Sequence, residues 1–318
     1  EYTGIWGKLI AALCICFSLF QIYTGFFGAF DAMIQRCVHL SFGISLVFLL
    51  CPTKKEWIRG GKVVNPLDLG LAILAAIPPI YILVNYQSLI LRAGTVTTTD
   101  FIIGLLGIVM VLEAARRIVG TSIVAVVLLF LAYGYFGPYM PGPLAHRGLS
   151  LEQMVSHLFF TTEGVFGIPL GVSSTFIFLF ILFGAYLEKT GLGKFFIDIA
   201  NAIAGWASGG PAKVAVISSA LQGTISGSSV ANVVGSGSFT IPMMKKLGYK
   251  KDFAGAVEAA ASTGGQLMPP IMGAAAFLMA EFVGVPYMEV VKAAIVPAIL
   301  YFIGVFLGVH FEAKKEKL

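Results

Sequence analysis

Seven apolar runs decide what this chain can fold into: residues 5–27, 33–50, 67–86, 101–112, 123–136, 168–187 and 287–311. A helix needs about 20 mainly apolar residues to cross a hydrocarbon core about 30 Å thick. Most of the runs approach or reach that length, while the fourth and fifth are shorter and their limits are soft. Composition agrees, since 58% of the residues are hydrophobic and 12% charged, against about 25% charged in soluble domains. The sequence therefore predicts an all-α integral membrane protein. Its net charge of +5 raises the question of a nucleic-acid partner. The basic residues form short clusters between apolar runs rather than one basic face, so they read as topology signals and no nucleic-acid partner is expected. Cys14, Cys16, Cys37 and Cys51 have neither CxxC spacing nor a neighbouring His cluster, so neither a disulfide nor a zinc site is expected. The first residue is Glu1 rather than Met; we expect an upstream piece to be missing and no cleavable signal peptide.

The positive-inside rule orients the runs. With a cytoplasmic N-terminus and one crossing per run, Lys8, the loop with Lys54, Lys55, Arg59 and Lys62, the pair Arg116 and Arg117, then Lys189, Lys194, Lys213, Lys245, Lys246, Lys250, Lys251 and the tail Lys314, Lys315 and Lys317 all fall inside. Only Arg36, Arg92, Arg147 and Lys292 remain outside, out of 21 basic residues. This holds only if residues 195–210 do not cross. Leu151, Met154, Val155, Leu158 and Phe159 follow helical spacing with polar residues opposite, which suits a helix lying at the interface or the start of the next span.

The stretch from Gly223 to Met244, GTISGSSVANVVGSGSFTIPMM, is rich in Gly and Ser inside an apolar chain. Lysines stand at both ends of 211–247, and two apolar arms of about 15 residues flank SGSS. Each arm, about 22 Å long, passes the midplane without comfortably crossing. A re-entrant hairpin opening to the cytoplasm satisfies both facts, with Ser226, Gly227, Ser228 and Ser229 at a tip deep in the membrane. Non-helical backbone survives there only when buried in protein or lining a cavity. A second interruption follows at AASTGGQLMPPIMGAAAF. Residues 252–283 are too long for one simple span, and unwinding TGGQLMPP, 263–270, leaves two half-helices. Unwound carbonyls can coordinate a cation, and the N-terminus of a half-helix attracts an anion. Tip and break together are expected to form an ion and substrate site.

Other features read differently. Gly235, Ser236 and Gly237 suit close helix packing, and no strand or basic anchor makes them a nucleotide loop. Glu258 is either a proton or cation carboxylate or a structural residue. Glu113 and Glu188 sit beside basic residues at helix ends. His39, His146, His157 and His310 lie near predicted helix ends, out of sequence reach of the tip serines, and no enzyme is expected.

At EGVFGIPLGVSSTFIFLFILFGAYLEKTG, GGPAKVAVISSALQGTISGSSVANVVGSGSFTIPMM and GYKKDFAGAVEAAASTGGQLMPPIMGAAAFLMAEF, the chain resembles the membrane component of tripartite ATP-independent periplasmic (TRAP) transporters, more narrowly the TAXI subgroup with fused membrane subunits. The resemblance is dense over 163–318; residues 1–120 resemble the small four-helix subunit in helix count and position. It implies a 1–120 membrane domain followed by the first half of a large permease domain, 121–318. Within that half, scaffold helices take 121–205, the hairpin 211–247, the broken helix 252–284 and a final helix 287–313. It further implies an elevator-type half repeat in the bacterial inner membrane, with both termini cytoplasmic. The implied activity is sodium-coupled secondary transport of organic anions, glutamate-like or C4/C5 dicarboxylates, fed by a periplasmic substrate-binding protein. Sodium is the coupling ion and no other cofactor is implied.

The resemblance assigns Ser226, Gly227, Ser228, Thr263, Gly264 and Gly265 to the cation, and Ser229, Asn232, Gln266, Pro269 and Pro270 to the substrate. Family members pair two inverted repeats, whereas HFEAKKEKL follows only one here, so the second is expected on another chain or to have been removed. Two other readings stand beside transport: a non-transporting scaffold or assembly subunit whose Gly and Ser residues only pack helices, and a channel, for which no charged ring or filter-like repeat is present.

Overall fold

A computed structural model describes residues 4–53, 64–92 and 94–316, and all regular structure among them is helical. Lys54, Lys55, Arg59, Lys62 and Lys317, used above to orient the chain, lie outside the described residues. The chain forms two compact units, Glu1–Thr175 and Phe176–Leu318.

The first unit holds α1 (Ile5–Phe27), α2 (Ala32–Leu50), α3 (Pro66–Leu91), α4 (Thr98–Ile118), α5 (Thr121–Phe136) and α6 (Leu151–Phe160). Their starts follow local chemistry. Asp31 accepts the Met33 N–H, Asn65 accepts that of Leu67 ahead of Pro66, and Thr97 with Asp100 forms a reciprocal capping box. The fourth apolar run, 101–112, extends to a 21-residue α4 because the capping box and the terminal Arg116 and Arg117 add polar turns at both ends. An apolar cluster of Ile10, Ile44, Phe48, Leu49, Ala72, Ala75 and Met110 joins α1 to α4. At its edge Arg117 is bound to Asp68 at 2.8 Å and Glu113 at 2.9 Å, its guanidinium 4.6 Å from the Phe48 ring centre.

Segment 151–160 is a separate ten-residue helix rather than the start of the next span. Its apolar face meets protein: Val155 and Phe159 press on Gly104 and Gly107 of α4, where any side chain would collide with them. His39 is not near a helix end, contrary to the sequence reading. It sits inside α2 with Nδ1 2.6 Å from Gln21 Nε2 and Nε2 3.1 Å from Ser173 Oγ, because a polar ring in an apolar interior must find partners on neighbouring helices.

Among the described residues six helical stretches are long and apolar enough to cross a membrane: Ile5–Phe27, Ala32–Leu50, Pro66–Leu91, Thr121–Tyr139, Ile168–Lys189 and Tyr287–Glu316. The fifth comprises α7 (Ile168–Val172), a π-helical turn over Ser173–Ile177 and α8 (Phe178–Lys189).

The second unit continues with α9 (Leu192–Ala204), α10 (Gly210–Ser226), α11 (Ser229–Leu247), α12 (Lys251–Gly264), α13 (Ala274–Val283) and α14 (Tyr287–Glu316). At 13 residues, α9 reaches about 20 Å and is too short to span. Helices α10 and α11 form a helical hairpin whose arms have 17 and 19 residues instead of the expected length of about 15. The arms are longer because Gly210 and Pro211 already belong to the first turn, and because the last turn of α11 takes in Lys245 and Lys246. Ala212, Ala215 and Val216 of α10, Met244 at the end of α11, Ala254, Val257 and Ala261 of α12, and Val309 and Ala313 of α14 form one buried cluster. Its small residues let the backbones approach closely, the packing that holds helices together without a hydrophobic drive between them.

Candidate functional site

The hairpin tip is two residues long. Gly227 ends α10 in the left-handed conformation, φ 57°, and its N–H donates to Gly223 O; Ser228 starts α11, its hydroxyl accepting the Ala231 N–H at 3.3 Å. Glycine as helix stop and serine as helix start need no other cause than capping. The functional weight falls on what the tip faces. A methyl group on Gly227 would lie 2.1 Å from Met272 O, and one on Gly223 would lie 2.5 Å from Gly265 Cα. The hairpin end thus rests backbone to backbone on the break of the discontinuous helix, a contact that only glycine permits.

That break runs from Gly265 to Gly273, shifted from the expected 263–270. Thr263 and Gly264 stay helical because Gly265 N and Gln266 N donate to the Ser262 and Thr263 carbonyls in a tight last turn. Past the two prolines, which cannot donate, the Gly273 N–H turns back to Gln266 O at 2.7 Å, and Met272 takes a positive φ of 44°. The Tyr287 hydroxyl donates to Pro270 O at 2.7 Å and to Ile271 O at 3.0 Å, while its ring stacks on Phe277 at 4.3 Å. Tyr287 therefore clamps the unwound backbone from the start of α14.

Four helix ends meet here: the carbonyl ends of α10 and α12 and the amide ends of α11 and α13. The first two attract a cation and the last two an anion. Beside this junction Ser226 Oγ and Asn232 Oδ1 are buried without a partner among the described residues, although buried polar atoms are almost always bonded.

The structure brings most of the sequence-predicted residues together, with different exposures. Ser226, Gly227 and Ser228 form the tip, and Gly265 touches it through Gly223. Gly264 instead faces the Tyr301 ring of α14, and Thr263 is exposed with its hydroxyl on Ala259 O at 2.7 Å. Among the substrate residues, Gln266 Nε2 donates to Ser229 Oγ at 3.0 Å, an exposed bridge from the break to the tip. Asn232 is fully buried between the arms, donating to Ser219 O at 2.8 Å. Within the break Pro269 is half-buried and Pro270 exposed.

Sequence reasoning missed Gly223, Gln222, Tyr287 and the position of Glu188. A cavity of about 240 Å³ beside the tip is lined by Gln222, Ser226, Ser228, Gly184, Gly193 and Glu188, which places a carboxylate at a serine-lined pocket. Gly235 and Gly237 pack as expected, the first against the Gln222 side chain and the second against Glu258.

Comparison with known proteins locates this geometry in a family. A family model described as the DctM component of tripartite ATP-independent periplasmic transporters matches residues 106–318, more than half of the chain and all of the hairpin and broken helix. The chain belongs to the DctM family. It is 32% identical over 178 residues to a C4-dicarboxylate TRAP transporter large permease protein of Vibrio cholerae, covering 55% of this chain and 37% of that protein. A protein of the same description from Pseudomonas aeruginosa is 32% identical over 139 residues, 44% of this chain and 32% of its own length. An isethionate TRAP transporter permease protein of Oleidesulfovibrio alaskensis is 36% identical over 91 residues, 29% of this chain and 14% of its own. The chain thus spans about a third of the length of the first two of these relatives. No solved structure matches it. With six apolar helices of spanning length among the described residues, this DctM-family chain is a multi-pass membrane protein.

Proposed function

We propose that the chain forms part of a secondary transporter that carries organic anions across a bacterial inner membrane, driven by sodium and fed by a periplasmic substrate-binding protein. The observation that carries this reading is the meeting of four helix ends at the contacts Gly223 with Gly265 and Gly227 with Met272, beside the partnerless Ser226 Oγ and Asn232 Oδ1. An oxygen such as Ser226 Oγ, with no hydrogen bond made, is what a hard cation uses. Amide ends beside them suit a carboxylate.

In this reading Ser226, Gly227, Ser228, Thr263, Gly264 and Gly265 serve the cation, Thr263 through its carbonyl because its hydroxyl is engaged. Ser229, Asn232, Gln266, Pro269 and Pro270 serve the substrate, with Asn232 holding the arms together while Ser229 and Gln266 face outward. Dicarboxylates are the substrate class, consistent with what the Vibrio and Pseudomonas relatives are described as carrying; C4 or C5 acids, glutamate-like ones included, fit the TAXI branch. Residues 1–120 act as the small-subunit-like domain and 121–318 as the first half of the permease. A second inverted repeat supplies the facing half of the site. The hairpin is re-entrant, both termini are cytoplasmic, and the hairpin with the broken helix travels as the moving part of an elevator.

Uptake by the complete transporter and its binding protein in proteoliposomes tests this. A sodium gradient should stimulate uptake where a potassium gradient does not, and Ser226→Ala and Gln266→Ala should each lower it. Sodium-indifferent uptake at controlled proton gradient would defeat the coupling ion, and full activity of both variants would defeat the site. A scaffold without transport is favoured by one observation, that capping alone explains Gly227 and Ser228; in that case Ser228→Cys would label identically with and without sodium.

A further inference from the structure

Glu258, left undecided between chemistry and structure by the sequence, is fully buried. It lies seven residues from Lys251 at the start of α12 and seven from Gly265 at its end, about 10 Å from each. Its carboxylate is enclosed by four hydroxyls from three helices. Oε1 receives Ser219 of α10 at 3.3 Å and Ser262 of α12 at 3.1 Å, and it also bonds Ser236 of α11. Oε2 bonds Thr240 of α11. Gly237 gives the side chain its room, since a methyl there would stand 3.0 Å from Glu258 Cγ.

Among the described residues no Lys, Arg or His forms an ion pair with it. The titratable groups on the surrounding helices are engaged or placed elsewhere. Lys213 of α10 lies 5.6 Å from the Phe306 ring centre, and Lys245 and Lys246 are exposed in the last turn of α11. Lys251 and Asp252 are exposed at the start of α12. Tyr301 of α14 donates to Ala260 O at 2.9 Å.

A carboxylate only accepts hydrogen bonds, a carboxylic acid also donates one, and a hydroxyl does both. This cage satisfies either form. When Glu258 is ionised, the four hydroxyls donate to it. When a proton occupies Oε2, that proton points to Thr240 Oγ1, and the Thr240 hydrogen turns to Ser236 O at 3.1 Å. A proton on Oε1 points to Ser236 Oγ, whose hydrogen turns to Asn232 O at 2.8 Å. Switching requires only hydroxyl rotation. A metal ion would instead have to enter between groups already in direct hydrogen-bond contact, forcing α10, α11 and α12 apart. Ionisable groups within a membrane segment are costly and tend to be functional.

We propose that Glu258 is an intramembrane proton-binding site, separate from the cation site at the hairpin tip, which takes up and releases one proton when α12 and the hairpin part and close again. The balance is one proton from water onto one carboxylate oxygen and its return to water, with no other bond made or broken. Because the cage draws on α10, α11 and α12 together, exchange with water reports their separation, and a proton held at Glu258 keeps the three helices joined.

Infrared difference spectra of the full chain in lipid nanodiscs, recorded against pH, read the site directly. A protonated-carboxyl carbonyl band should disappear as pH rises and be missing from Glu258→Gln. Thr240→Val, which keeps Glu258 but removes a cage hydroxyl, should displace the pH at which the band disappears; an unmoved band would overturn the assignment to the cage. A band that persists at every pH, the absence of any band removed by Glu258→Gln, or a band abolished by sodium at fixed pH would each overturn the proposal. Sodium-dependent labelling of Ser228→Cys that survives in Glu258→Gln separates this proposal from the transport reading, since either can fail without the other.

Discussion

Replacing Gly227 with alanine tests the contact on which the candidate site is built. The added methyl would stand 2.1 Å from Met272 O where ordinary contact begins at 3.4 Å, so tip and break must part by about 1.3 Å. Neither side can yield by rotating a side chain, because the obstacle is a backbone carbonyl. Alanine at φ 57° costs about 1–2 kcal/mol for the left-handed conformation. Forcing an overpacked contact adds about 1–3 kcal/mol. At about 1.4 kcal/mol per tenfold change, a combined loss of about 2–5 kcal/mol raises local opening about 30-fold to a few thousand-fold. Hydrogen exchange of the Gly273 amide, bonded to Gln266 O at 2.7 Å, reads that opening. Gly255→Ala is the control: it lies in the same broken helix, nothing stands within 4 Å of its added methyl, and it should strengthen α12 by up to about 1 kcal/mol. If Gly227→Ala leaves the Gly273 amide as protected as Gly255→Ala does, hairpin and break are not in contact and the site is wrong.

Tyr287→Phe keeps the stacking on Phe277 but leaves the Pro270 and Ile271 carbonyls without their donor; a loss of about 1–3 kcal/mol should appear as faster exchange across residues 265–273. Arg117→Met strands the buried Asp68 and should cost the first unit about 3–5 kcal/mol in reversible unfolding, whereas Arg116→Met, at an exposed pair with Glu113, should cost less than about 1 kcal/mol. Gly107→Ala would drive a methyl to 2.1 Å from the Phe159 ring and should loosen α6 from α4 by about 1–3 kcal/mol, seen as proteolysis in residues 137–150.

Much of the fold was legible because membrane helices declare themselves in one dimension. Run length alone located α1 at its observed ends, Ile5–Phe27, and lysines at both ends of a broken apolar stretch marked the hairpin. The tip was legible because helix stop and start need particular residues, Gly227 and Ser228. The extent of the break was not, since it depends on where Gly273 turns its N–H, a bond to Gln266 rather than a residue preference. Gly223 read as one small residue among many until Gly265 stood against it. Glu258 was the hardest to read. Its four hydroxyl partners are 4 to 39 residues away, and only the packing of three helices reveals that they share one carboxylate.

The central claim is that the tip and the break form a sodium-responsive site, and labelling of one cysteine at the tip tests it most directly. With Cys14, Cys16, Cys37 and Cys51 replaced, Ser228→Cys should react more slowly with a soluble maleimide in sodium than in potassium at equal ionic strength, because a bound cation draws the ends of α10 and α12 together over it. Equal rates in the two salts would contradict the account.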